Sequence, residues 1–81
     1  MMNCSTLNDS TKTFICRILQ TGDSPMNKAG ALVGYLSQLN PEISDKKEYL
    51  DKFHSYIEDD QSIDNTLENI YKIFTEKAHI L

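Results

Sequence analysis

The sequence predicts an all-α fold, a small bundle of four short helices that forms a single domain over residues 8–81. Apolar residues recur at the three- and four-residue spacing of a helix in four segments, and breaks rich in Gly, Pro, Asn, Asp and Ser separate those segments. No segment alternates polar and apolar residues as a half-buried strand would. With 81 residues the chain has room for one domain, and its polar start, residues 1–7, is predicted to be a flexible tail.

The first helix is predicted over residues 9–20. Asp9 and its neighbours offer side-chain oxygens that can cap the first turn. The segment Thr21-Gly22 can end the helix, because glycine readily adopts the left-handed conformation that follows many helices. Between these ends the apolar residues form one stripe, made of Phe14, Ile15, Ile18 and Leu19.

The second helix, predicted over residues 25–39, is the segment around which we expect the others to pack. Ser24 can cap it, Pro25 suits its first turn, and Asn40-Pro41 ends it. Its apolar residues cover about half of the helix circumference, which is wider than the stripe of an ordinary surface helix. We therefore expect neighbours on both sides of this helix.

A strip of small residues runs beside the apolar arc of the second helix. Glycine inside a helix costs about 1 kcal/mol relative to alanine, so two glycines four positions apart indicate a packing reason. Two interpretations remain open, namely close packing within the chain and association with a second copy or a partner. We predict an association surface at Gly30, Gly34, Tyr35 and Ser37.

The third and fourth helices are predicted over residues 44–58 and 62–79. Ser44 and Asp45 are candidate caps of the third helix, and Glu48 is placed for a capping box with Asp45. Each helix carries one apolar stripe at helical spacing, so both are expected to be amphipathic.

Composition limits the possible functions. The net charge is −4 and the eight basic residues are scattered, which argues against direct binding of nucleic acid. Two cysteines do not make a disulfide framework, so we expect free thiols in a reducing compartment, with Cys16 packed beside the core. No apolar run is long enough to span a membrane or resembles a signal peptide, and a cytoplasmic location is predicted.

No cluster of residues predicts an enzyme, a metal site or a cofactor. Asp51, His54 and Glu58 fall near one face of the third helix, but a metal site in a bundle needs matching ligands from other helices. Cys16 and His54 could form a nucleophile and its base only with a cleft and an oxyanion site, which 81 helical residues hardly provide.

Acidic residues concentrate late in the chain, at Glu58, Asp59, Asp60, Asp64 and Glu68. Most such runs are solvated helix faces. A concentrated negative patch can also steer fast association with basic surfaces. This predicts, as an alternative function, a small acidic inhibitor or immunity-type protein that neutralises a toxin or a nucleic-acid-binding enzyme.

Two segments, FICRILQTGDSPMNKAGALVGYLSQL and ISDKKEYLDKFHSYIEDD, resemble the YmgB/AriR family of small enterobacterial regulators over residues 7–60. The most specific shared element is Thr21-Gly22-Asp23 followed by Lys28. The resemblance implies a non-enzymatic connector, an all-helical homodimer that acts on phosphorelay signalling and influences biofilm formation and acid resistance. We therefore predict a regulatory module that contacts a protein partner, such as a response regulator or another phosphorelay component.

Overall fold

A computed structural model describes residues 4, 7–59 and 62–78, and the all-α prediction is confirmed for them. This part of the chain contains four helices and no strand: α1 (Ser10–Leu19), α2 (Pro25–Leu39), α3 (Lys46–Asp59) and α4 (Ile63–Ala78). The bounds of α2 agree with the prediction, and those of α1 and α3 and the start of α4 differ from it by one or two residues. The predicted end of α4, residue 79, lies outside the described residues.

Side-chain caps fix where the first two helices begin. The Asp9 Oδ1 atom accepts hydrogen bonds from the backbone N–H groups of Thr11 and Lys12, at 2.8 and 3.0 Å. The Ser24 hydroxyl accepts the backbone N–H of Asn27 at 3.2 Å, and Pro25 lies in the first turn of α2. These bonds satisfy donors that have no partner within the helix itself.

Polar side chains from other elements hold two helix ends. The Lys28 ammonium group donates to the carbonyl of Leu19 at 2.8 Å, at the end of α1. The Asn40 amide, just after α2, donates to the carbonyl of Lys77 in the last turn of α4. Lys28, the only charged residue of α2, is thus engaged with the neighbouring helix end.

The core lies between two helix pairs. α2 packs mainly against α3, and α1 packs mainly against α4, while α2 also touches α1 and α4. The prediction that α2 has neighbours on both sides is therefore confirmed. Aromatic rings join the pairs, since Phe74 lies 5.5 Å from Tyr35 and 5.9 Å from Phe53 between ring centroids. The fully buried core also includes Ile15, Leu32, Leu36 and Ile70.

The expectation of two free cysteines is wrong. Cys4 and Cys16 form a disulfide, because the chain before α1 folds back and brings their Cα atoms within 5.7 Å. Leu7 also packs against the core, so both described positions of the predicted tail are held against the bundle. No helix in residues 7–59 and 62–78 has the length and apolar character needed to cross a membrane.

Candidate interaction surfaces

The exposed face of α2 carries no charge. Its exposed positions are Pro25, Met26, Asn27, Gly30, Ala31, Gly34, Gln38 and Leu39. The exposed positions of α3 are different, since lysine, glutamate and aspartate occupy almost all of them. Charged residues make up 25% of the chain, so an exposed helix face without charge is unusual for it. Depletion of charged residues is typical of the centres of protein interfaces.

The two glycines of α2 face open space. A Cβ atom built on Gly30 or Gly34 meets no atom of the described residues within 4 Å. Both residues are exposed, so close packing within the chain does not explain them in the part of the molecule that the structure describes. Association with a second copy or a partner is the interpretation that stays open.

The other two residues of the predicted surface lie elsewhere. Ser37 is only partly exposed, and its hydroxyl oxygen is buried with no hydrogen-bond partner among the described residues. Tyr35 is half-buried, and its ring lies between Phe14 and Phe74, with centroids 4.1 and 5.5 Å away. Gly30 and Gly34 therefore share the exposed face, Tyr35 borders it, and the Ser37 hydroxyl points away from solvent.

Three apolar side chains on or beside α2 are exposed although they belong to the apolar stripes of their helices. Phe14 of α1 is 39% exposed, and Met26 and Leu39 of α2 are 48% and 38% exposed. Met26 and Leu39 lie in the first and last turns of α2, and apolar periodicity does not distinguish a terminal position that overhangs the core from one inside it. Phe14 lies in the middle of α1, and its ring packs against Tyr35 with a centroid distance of 4.1 Å.

The acidic residues of the alternative function are partly engaged within the chain. Glu58 binds the His54 ring at 2.8 Å, and Glu68 pairs with Lys12 of α1 at 3.1 Å. Asp59 accepts the Ser55 hydroxyl at 3.0 Å, and Asp64 is exposed in the first turn of α4. Asp60 lies outside the described residues. Of these partners, Lys12 carries a positive charge that offsets the charge of Glu68, whereas the Ser55 hydroxyl leaves the charge of Asp59 in place. The inhibitor hypothesis stays a prediction.

The candidate chemical groups of α3 and α1 do not meet. His54 is paired with Glu58 on its own helix, and Cys16 is bonded to Cys4. Within the described residues, no three metal-binding side chains are grouped closely enough to hold an ion.

A polar contact that the sequence analysis missed joins α1 to α4. The Tyr71 hydroxyl donates to Asp9 Oδ2 at 2.6 Å, and the Lys12 ammonium lies 4.8 Å from the centre of the Tyr71 ring. The hydrogen bond from Tyr71 is the main reason why the pKa of the Asp9 carboxyl is lowered, and the backbone N–H groups of Lys12 and Thr11 add to it. The same bond raises the pKa of Tyr71, with burial adding to the effect.

Asp9 and Tyr71 are 62 residues apart, and no local pattern in the sequence signals their contact.

Comparison with protein-family models, with curated proteins and with solved structures gave no match to this chain.

Proposed function

We propose that this chain is a non-enzymatic regulatory module that docks a protein partner against the exposed face of α2. The observation that carries the proposal is an uncharged helix face with open space above Gly30 and Gly34. Glycine lets a partner helix approach the backbone of α2 closely, and the exposed Met26 offers apolar surface beside it.

The size of this face favours a transient contact. A helix of 15 residues is about 22 Å long and about 10 Å wide, so the face covers roughly 200 Å² in projection. Stable protein dimers bury about 800 Å² on each partner. The neighbouring Phe14 ring adds to the area of this face, but the total stays small. Such an area fits a reversible contact better than the interface of an obligate homodimer. Because the resemblance points to a phosphorelay component, we propose that a different protein occupies this face.

The resemblance to the YmgB/AriR family supports a phosphorelay partner, such as a response regulator, and a role as a connector that affects biofilm formation and acid resistance. A cytoplasmic location is part of this proposal. Thiols are mostly kept reduced there, so the Cys4–Cys16 bond would form and break instead of persisting.

Two substitutions at one position test the docking face. Gly34→Ala adds only a methyl group to the face, whereas Gly34→Leu places a branched side chain where the partner backbone would lie. Neither change meets an atom of the chain at Cβ, so both variants are expected to fold. Asn65→Leu on the exposed side of α4 is the matched control for an added leucine.

The experiment is affinity capture of the tagged chain from a nuclease-treated lysate of its own host, followed by a binding isotherm with the captured protein after purification. We expect a phosphorelay component whose affinity falls at least about tenfold with Gly34→Leu, which corresponds to about 1.4 kcal/mol. The affinity should fall less with Gly34→Ala and stay unchanged with Asn65→Leu. Equal binding by all variants would remove α2 as the docking face. Recovery of a toxin or a basic nucleic-acid enzyme, or a dimer in sedimentation that Gly34→Leu dissolves, would each contradict the proposed partner.

A further inference from the structure

The Cys4–Cys16 disulfide joins two sulfur atoms in unlike surroundings. Cys16 is fully buried on α1, whereas Cys4 lies before the helix and is half-buried. A thiolate that cleaves a disulfide must touch the sulfur that it attacks. Because Cys16 is fully buried and the Cys4 residue is partly exposed, an external thiol is expected to attack the bond at Cys4.

The surroundings of the bond also suit Cys16 as the leaving group. The Gln20 amide nitrogen lies 3.3 Å from Cys16 Sγ and 3.3 Å from Cys4 Sγ. Because the donor is equally distant from both sulfur atoms, it is within reach of the Cys16 thiolate when exchange at Cys4 releases it. A hydrogen bond to the thiolate offsets part of the cost of placing a charge in a buried site.

We propose that Cys4 is a thiol–disulfide exchange site for small thiols of the glutathione class, and that exchange there releases the chain at Cys4 from α1. The glutathione thiolate attacks Cys4 Sγ, forming a mixed disulfide, and the Cys16 thiolate leaves and takes a proton. A second glutathione thiolate then attacks the glutathione sulfur of the mixed disulfide and releases Cys4 as a thiol. Two electrons pass to the protein, and glutathione disulfide is the oxidised product, so the reverse reaction with glutathione disulfide restores the bond.

Besides the disulfide, Cys4 packs partly buried against the core, and its hydrogen bonds to the described residues are weak. Its carbonyl accepts the backbone N–H of Leu7 at 3.3 Å and the Thr13 hydroxyl at 3.5 Å, both long bonds. The Thr13 hydroxyl has a closer acceptor in the Asp9 carbonyl, at 2.9 Å. Asp9 itself is fixed by Tyr71 and by the first turn of α1. Loosening after reduction is therefore expected to end at Asp9 and to leave the helical bundle intact.

A pair of single-cysteine variants tests which sulfur reacts. Cys16→Ser keeps Cys4, and Cys4→Ser keeps Cys16, with nearly the same volume at the bond. Each variant is treated with glutathione disulfide, and the mixed disulfide is followed by intact mass spectrometry. We expect Cys4 to be modified at least roughly tenfold faster than Cys16 in the folded variants, and both at similar rates in urea. Equal rates in the folded state, or a faster Cys16, would overturn the proposal.

Amide hydrogen exchange of the parent protein tests the structural consequence. The Leu7 amide reports the contact with Cys4, and the Lys12 amide reports the cap at Asp9. Reduction is expected to speed exchange at Leu7 and to leave Lys12 unchanged. Exchange that speeds at both amides, exchange that changes at neither, or an oxidised protein with two titratable thiols would each contradict the proposal. The proposal is independent of the partner docked on α2.

Discussion

The contact between Tyr71 and Asp9 gives the sharpest prediction about stability. It joins the start of α1 to α4 through a hydrogen bond of 2.6 Å to a carboxylate. Hydrogen bonds to charged groups contribute about 1.5–3 kcal/mol, and partial exposure of both residues places this one near the lower end. Tyr71→Phe removes the donor and leaves the ring, so we expect the free energy of unfolding to fall by about 1.5 kcal/mol at neutral pH. In a domain of this size that corresponds to a melting temperature lower by roughly 10 °C.

The pH dependence of this loss follows from the two pKa shifts. The pKa of Asp9 is lowered in the folded state, so its stabilisation is complete above the unfolded value, about 3.9, and is lost as pH falls through the folded pKa. The pKa of Tyr71 is raised, so its contribution is complete below the unfolded value, about 10, and is lost as pH rises through the folded pKa. The free energy of unfolding of the parent should therefore exceed that of Tyr71→Phe by a constant amount from about pH 5 to 9. This difference should shrink below about pH 5 and above about pH 9.

Urea unfolding followed by circular dichroism at several pH values measures this difference. Tyr56→Phe is the control, because Tyr56 is also half-buried and none of the described residues bonds its hydroxyl. We expect Tyr56→Phe to stay within about 0.5 kcal/mol of the parent. A Tyr71→Phe variant as stable as this control, or a stability difference that does not change between pH 3 and 7, would refute the reasoning.

Three further predictions concern other parts of the chain. Gly34→Ala should raise the free energy of unfolding by up to about 1 kcal/mol in urea denaturation, because alanine favours the helix and its Cβ meets no atom within 4 Å; a loss of stability would mean that this face is packed. The Cys4–Cys16 bond closes a loop of sequence separation 12, so its reduction should lower the free energy of unfolding by about 3 kcal/mol. A reduced protein as stable as the oxidised one would contradict this. If the inhibitor hypothesis holds instead, neutralising Glu58, Asp59, Asp60, Asp64 and Glu68 should weaken partner binding and flatten its salt dependence, whereas unchanged affinity would remove that hypothesis.

Local patterns were sufficient to predict the helices. The stripe through Ile15 and Leu19, the cap at Asp9 and the proline after Asn40 all act within a few residues of the chain, so the sequence shows them directly. The wide apolar arc of α2 also predicted its several neighbours correctly, because apolar area on two sides must be buried by more than one element.

The contacts between distant residues could not be read in the same way. The bond between Cys4 and Cys16 requires the chain before α1 to turn back, and the hydrogen bond from Tyr71 to Asp9 requires α1 and α4 to lie side by side. Neither arrangement leaves a periodic signal. The exposure of Phe14 also depends on how the helices pack. Phe14 belongs to the apolar stripe of α1, but α2 covers only part of its ring.

The central claim is that the partner docks on the exposed face of α2. The most direct measurement is a two-dimensional NMR titration of the isotope-labelled chain with the purified phosphorelay protein that it captures. We expect the largest amide perturbations at Gly30, Ala31 and Gly34 and next to the Phe14 ring, with α3 unchanged on its charged side. Perturbations centred on Glu58, Asp59 and the start of α4, with α2 silent, would contradict the claim.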